Sequence, residues 1–290
     1  MKKALSALLA AVMVLGLLAL APITAHAATI EVANATQFAD ALAQPGDNTI
    51  RLTANIDYND SIYIDTAKTI TLDLNGKTLN ATGLLYVLNG GKLLLADPAN
   101  GQFNVFFVGN PEVFVWVGGA DSKVDVTNVT FIGSAIAVVE VSGELTVYGN
   151  VTSSDKGVTV HVGGKITVNG TLTVAGDYID FDGTTSKTAT DFVTPSTKTG
   201  YKTYTDGTST VWVKCAAHTP GDWTVDTAAT ATTAGSKHKE CTACKAVTET
   251  QVIPATGKFI HLWGKETKWL DNFWNWLLVI FCFGWIWMAF

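Results

Sequence analysis

Four residues in the C-terminal third have the spacing of a metal site. Cys215-Ala216-Ala217-His218 is followed, with 22 residues between, by Cys241-Thr242-Ala243-Cys244. The two knuckles offer three thiols and an imidazole, a donor set that zinc takes in tetrahedral Cys3His sites. The intervening stretch is rich in Thr and Ala and cannot build an apolar core alone, so a staple is expected at this size. Four protein ligands leave no open coordination position, which makes the expected role of Zn2+ structural. The competing reading is a disulfide, which an exported chain permits. Three cysteines cannot all pair within the module, and zinc is preferred. His238, close to Cys241, is an alternative ligand.

Carboxylates are the second group with chemical potential. Asp177, Asp180 and Asp182 form the densest acidic cluster, in Asp177-Tyr178-Ile179-Asp180-Phe181-Asp182-Gly183. Glycoside hydrolysis needs two carboxyl groups flanking the scissile bond. On a strand, Asp180 and Asp182 share one face with Tyr178, which could stack on a sugar ring, while Ile179 and Phe181 point the other way. The plainer reading, and the favoured one, is an acidic loop closing the last repeat or a weak calcium site. Asp73 and Asp125 read as isolated, solvent-facing strand carboxylates. His161 has no partner nearby in sequence and reads as a surface or packing residue.

Aromatic residues supply a binding chemistry. Phe106 and Phe107 are adjacent, so on a strand one of them faces outward. Phe114 and Trp116 are expected to share a face opposite Val113, Val115 and Val117. With Tyr148, such residues either meet a glycan or protein from an exposed face or pack beneath a long loop.

The elements that must position these groups are short strands. Gly143-Glu144-Leu145-Thr146-Val147 recurs 21 residues later as Gly164-Lys165-Ile166-Thr167-Val168, and 21 residues earlier as Ser122-Lys123-Val124-Asp125-Val126. A fixed period near twenty residues, built from alternating strands and Asn/Gly turns, predicts a β-solenoid. Strands are expected at 49–52, 61–64, 69–74, 84–87, 92–95, 103–108 and 113–117. Ile50, Ile70 and Leu93 are expected to be equivalent positions. The longer gap from Leu93 to Val124 holds an extra strand or loop. A helix at 36–44, broken by Pro45 and Gly46, is placed to cap one end, and a hairpin at 201–213 turning at Asp206-Gly207 to cover the other.

The two ends of the chain read as export and anchoring signals. Lys2-Lys3, the apolar run from Ala4 to Leu20 and Ala25-His26-Ala27 have the layout of a cleaved signal peptide, residues 1–27. Loss of Lys2 and Lys3 takes the formal charge from −6 to −8. That balance, with Arg51 as the single arginine, argues against a nucleic-acid partner. Residues 273–290 are almost wholly apolar and long enough to span a bilayer as a helix, with Trp at both ends. Lys258, Lys265 and Lys268 precede the segment and no cation follows it, against the positive-inside tendency, so an interfacial position is the alternative.

Thr69-Ile70-Thr71-Leu72-Asp73-Leu74-Asn75-Gly76-Lys77-Thr78-Leu79 resembles a rung of secreted Gram-positive surface proteins with a right-handed parallel β-helix, the pectin-lyase-like fold. The resemblance covers residues 30–183. The segment from Cys215 to Gly257, with Trp223 and an Ile253-Pro254-Ala255-Thr256-Gly257 end, is similar to short modules of the same proteins. Those often carry Gly where this chain has Lys245. The resemblance implies that a lyase would use a basic residue, commonly Arg, with carboxylates holding calcium. Arg51 lies beside the expected cap and reads as structural, and Lys165 is a poorer base. It also implies that hydrolases draw their acids from adjacent rungs, unlike the 177–182 cluster.

The expected organisation is therefore an all-β chain: signal peptide 1–27, β-helix with cap 28–183, hairpin or linker 184–213, zinc-ribbon-like module 214–257 and hydrophobic tail 258–290. The expected function is that of a membrane-tethered, non-catalytic adhesin binding surface glycan or protein. The rivals are a polysaccharide lyase or hydrolase, using Asp177, Asp180 and Asp182, and a structural envelope stalk.

Overall fold

The computed structural model describes residues 28–109, 113–133, 137–155, 157–176, 178–260 and 266–268. Among them the chain winds into six turns of a β-solenoid, and each turn gives one short strand to each of three parallel faces. The first face stacks Asn48–Leu52, Thr69–Asp73, Lys92–Leu95, Lys123–Val126, Glu144–Val147 and Lys165–Val168. The second stacks Ile56–Tyr58, Thr78–Ala81, Gln102–Gly109, Asn128–Gly133, Val151–Ser153 and Leu172–Val174. The third stacks Ile62–Ile64, Leu85–Leu88, Val113–Gly118, Ala137–Val141, Val158–Val160 and Ile179–Phe181.

Strands this short bury only a few side chains each, so one turn has no core of its own. Stacking solves this. On the first face, Ile70, Leu93, Val124, Leu145 and Ile166 form one continuous buried column. Ile50 departs from the expected equivalence: it pairs with Leu72, and Asn48 takes the place beside Ile70. A two-residue shift keeps every apolar side chain inside, so the hydrophobic pattern cannot distinguish the two registers. The sequence repeat begins with glycine for a steric reason. A Cβ on Gly143 would lie 2.5 Å from the Ser122 carbonyl oxygen, and one on Gly164 would lie 2.2 Å from that of Val141.

Outside the second face, a ladder of amides runs across the turns. Asn80 Nδ2 donates to Asp57 Oδ1 (2.8 Å), Asn104 Nδ2 to Asn80 Oδ1 (3.0 Å) and Asn128 Nδ2 to Asn104 Oδ1 (2.9 Å). Each amide donates to the turn before and accepts from the turn after, which the two-sided chemistry of Asn allows.

Both ends of the stack are covered. The strand Ala28–Val32 pairs in parallel with Asn48–Leu52 and leads into the helix Ala35–Ala43. Asn34 caps that helix by accepting from Gln37 N (3.0 Å), while Gln37 Oε1 accepts from Ala33 N (2.7 Å), one residue before the cap. Phe38 and Ala41 are buried, and the Phe38 ring meets Tyr58 edge-on at 5.0 Å. At the far end Thr210–Lys214 pairs in parallel with Lys165–Val168 and turns back antiparallel along Tyr201–Thr205. Thr185–Lys187 closes the third face by pairing antiparallel with Ile179–Phe181. Residues 184–213 thus supply strands to two faces.

Beyond this lies a three-stranded antiparallel sheet of Pro220–Thr227, Gly235–Cys241 and Val247–Ile253. A short antiparallel pair, Lys258–Ile260 with Glu266–Lys268, follows. No helix among the described residues is long and apolar enough to cross a membrane. The expected signal peptide and the apolar segment 273–290 lie outside the described residues.

Replacing Asn104 by Ala removes one ladder bond on each side. The expected loss is about 1–2 kcal/mol in urea unfolding, at the net value of a hydrogen bond. Replacing the exposed Val162 by Ala should cost less than about 0.5 kcal/mol in the same measurement.

Candidate functional site

The four sequence-paired ligands converge. Cys215 directly follows the terminal strand of the solenoid, Cys241 ends Gly235–Cys241, and Cys244 sits in the turn before Val247–Ile253. Lys245 N donates to Cys241 O (2.9 Å) and Cys241 N to Ala246 O (2.8 Å), closing the second knuckle. Gly200 N donates to Cys244 O (2.8 Å) and Cys215 N to Gly200 O (2.9 Å), which ties both knuckles to the loop before the terminal hairpin. The ligand atoms of Cys215, His218, Cys241 and Cys244 all lie within 4.8 Å of one another. Cys244 Sγ and His218 Nδ1 are 3.3 Å apart. Zinc–sulfur bonds of about 2.3 Å in a tetrahedron separate the sulfurs by about 3.8 Å. The donors therefore fit a metal ion after small adjustments. Cys215, Cys241 and Cys244 form no disulfide.

The electrostatics suit an ion. Burial opposes ionisation of Cys241, but hydrogen bonding to His218 and to backbone groups of Ala243, Cys244 and Thr219 outweighs it and holds this thiol low. Burial pushes the Cys244 thiol up, and the neighbouring sulfurs of Cys241 and Cys215 push in the same direction. One thiolate thus forms readily, and a bound cation would favour ionisation of Cys244. The cysteines are also the module's buried apolar cluster, with Ala243 and Ala246 packed against them. Most side chains on the three strands are exposed. His238 belongs elsewhere: it contacts Asp226 and Glu240. Lys245 has φ +57°, the left-handed conformation that favours glycine, so the departure from Gly at this position carries backbone strain.

Asp180 and Asp182 do not lie on one continuous strand. The strand stops at Phe181, and Asp182 turns into the left-handed region at φ +52°. There Asp182 Oδ1 lies 2.9 Å from His161 Nδ1. Tyr178 does not share an outward face with Asp180; it packs against the core, with its ring 5.6 Å from that of Tyr204. Asp177 lies outside the described residues. Arg51 is held by Asp73 (3.4 Å) and by Asn75 Oδ1 (3.2 Å), consistent with a structural part. Lys165 is exposed and in register with Glu144. Asp125 is half-buried rather than solvent-facing, and desolvation raises its carboxyl despite hydrogen bonds from Leu95 and Thr146.

The aromatic residues divide differently from expectation. Phe114 is fully buried against Phe107 and Phe131, while Trp116 is 37% exposed. Strand alternation fails at Phe114 because pairing of this strand with the preceding turn begins only at Val115. Phe106 faces outward, and Phe107 and Tyr148 pack on the core. Two residues that the sequence did not single out matter more. Tyr63, Tyr86 and Trp116 occupy one outward column of the third face. Tyr63 and Tyr86 are 5.1 Å apart at 88°, and Tyr86 and Trp116 are 5.7 Å apart at 83°. Tyr63 is 57% exposed. The available signal was the equivalence of Tyr63 and Tyr86 two residues into strands one turn apart.

Comparison with known proteins returns no matching family and neither a similar curated protein nor a similar solved structure.

Chelation at neutral pH should abolish the ordered state of residues 214–257 in amide-resolved NMR and leave the solenoid resonances in place, because sulfur ligation replaces a core there. Metal retention, followed by elemental analysis after dialysis, should fall as pH is lowered, since protonation of the thiolates competes with the ion. Lys245→Gly should stabilise the metal-loaded module by about 1 kcal/mol in thermal unfolding, by relieving the left-handed strain.

Proposed function

We propose that this chain is an exported, membrane-tethered surface protein whose solenoid binds glycan along its third face without cleaving the glycan backbone. The observation that carries the reading is the ladder of Tyr63, Tyr86 and Trp116. Three rings are held one per turn on a rigid, outward column. Aromatic faces are the usual platform for the apolar face of a sugar ring, and rings fixed by the scaffold lose little conformational entropy on binding. A linear polymer lying along the solenoid axis would meet one ring per turn.

In this reading the solenoid is a right-handed helix of the pectin-lyase-like kind, the hand that nearly all parallel crossovers take. The Cys3His module holds Zn2+ as a structural ion between the solenoid and the hydrophobic tail. In the same reading residues 1–27 act as an export signal and the apolar segment 273–290 as an anchor, with the solenoid outside the membrane. The rival reading, depolymerisation of a polysaccharide, has less support, because Asp182 is engaged by His161 and Arg51 by Asp73 and Asn75.

A glycan array followed by calorimetry tests the proposal. Replacing Tyr63 and Trp116 together by Ala should weaken binding of the selected glycan at least about tenfold, with the melting temperature unchanged within a few degrees. Equal affinity of the double variant, or no binding to plant, host or bacterial glycans, would sink it.

A further inference from the structure

The corner that follows the third face carries a groove of about 470 Å³. Trp116 belongs both to this groove and to the aromatic ladder: its ring ends the column begun by Tyr63 and Tyr86, and it lines the groove. The other side chains that matter come from neighbouring turns. Leu88 pairs with Gly118 of the next turn, and Asn89 follows Leu88. Ser142 stands one turn further on, directly after Val141, which pairs with Val117. No Lys, Arg, Asp or Glu lines the groove, and His161, which does, is engaged by Asp182 at 2.9 Å.

The polar groups of the groove are already oriented. Asn89 Nδ2 donates to Asp65 O of the preceding turn at 3.1 Å, which holds the amide and leaves Oδ1 as an acceptor. Ser142 Oγ accepts the Gly119 N–H at 2.9 Å, which leaves the hydroxyl hydrogen to donate. Leu88 is half-buried and Trp116 is 37% exposed, so both present apolar surface. An acceptor, a donor and an apolar wall, with no carboxylate or ammonium among them, are the complement of a secondary amide that carries a methyl group.

We infer that this groove takes the N-acetyl substituent of a 2-acetamido sugar, so that the polymer carried by the ladder is an N-acetylated amino-sugar glycan. The sugar ring lies on Trp116. The amide N–H donates to Asn89 Oδ1, the amide carbonyl accepts from Ser142 Oγ–H, and the methyl group meets Leu88. A uronic acid would bring a carboxylate to a groove with no lysine or arginine to receive it. A plain hexose offers a hydroxyl where the amide would be, leaving the apolar wall bare and at most one of the two polar groups matched. A peptide also carries amides, but the groove continues a column of rings one turn apart, which suits a polymer of stacked sugar rings.

This assignment rests on the glycan-binding reading, and the experiment separates the two. The full chain is titrated calorimetrically with two neutral tetramers of the same β-1,4 linkage, one of N-acetylglucosamine and one of glucose. The acetylated tetramer should bind at least about fivefold more tightly, the value of one hydrogen bond with some apolar contact. Ser142→Ala, which removes the donor, and Asn89→Gly, which removes the acceptor and keeps the left-handed backbone at φ +53°, should each lower that preference about threefold or more at unchanged melting temperature. Equal affinity for the two tetramers, with replacement of Tyr63 and Trp116 by Ala weakening both, overturns the inference and keeps the glycan-binding reading. Binding of neither tetramer overturns it too, and a different glycan bound through Tyr63 and Trp116 would still keep that reading. A preference that survives both Ser142→Ala and Asn89→Gly also overturns the inference.

Discussion

Everything in this molecule follows from the in-register stacking of turns that cannot bury their own apolar faces. A strand of three to five residues offers only a few inward side chains. It becomes stable only when the next turn lies directly above it and both backbones complete their hydrogen bonds. That constraint forces equivalent residues of successive turns into columns a few ångströms apart. Inside, the columns are Val, Ile, Leu and Phe. Outside, the same spacing turns any side chain that interacts well with a copy of itself into a ladder. The Asn80–Asn104–Asn128 amides and the Tyr63–Tyr86–Trp116 rings are two outcomes of the one constraint. Each ladder adds order to a surface that would otherwise be free, and a rigid outward column is the kind of surface on which an extended ligand binds without a large entropic cost.

Corners are where the stacking leaves room for variation. Between the third and first faces the backbone passes so close to the turn below that glycine is needed at Gly143 and Gly164. The positions that follow the last inward residue of the third face differ from turn to turn: Gly118, Ser142, His161 and Asp182 stand there in successive turns. A scaffold whose faces are dictated by packing can place chemically different groups beside one another at its corners, because those side chains contribute little to the core. The His161–Asp182 contact is long-range in sequence and short in space for this reason alone.

The module after the solenoid obeys the opposite logic. Its strands are mostly exposed, and its apolar interior amounts to three sulfurs and two alanines. A Cys241 thiolate that forms readily beside a Cys244 thiol that resists ionisation is an arrangement that a cation could complete. Here a Cys/His cluster that could hold a metal ion takes the place that apolar packing fills in the solenoid.

The 21-residue repeat, the alternation of Val and Leu with Thr and Lys, and the spacing of Cys215, His218, Cys241 and Cys244 were enough to read a solenoid and a four-ligand cluster, because both are matters of period and local spacing. The capping helix and the hairpin at 201–213 were legible for the same reason. Register was not. Ile50 could stack on Ile70 or Leu72 without exposing an apolar side chain, since a two-residue shift preserves the pattern. Alternation puts Phe114 on one face with Trp116 and leaves open whether it is exposed or packed; the structure buries it beside Val115, where alternation breaks at the corner. Asp180 and Asp182 were joined on one face by extending a strand that ends at Phe181, where a left-handed residue redirects the chain. The Tyr63 ladder and the His161–Asp182 pair were missed because each depends on which residue of one turn lies over which residue of the next. Sequence by itself determined what repeats and what can ligate. Only the tertiary structure decided what stands beside what, because contacts between turns are set by backbone pairing across twenty or more residues, and the hydrophobic pattern leaves that pairing degenerate in steps of two.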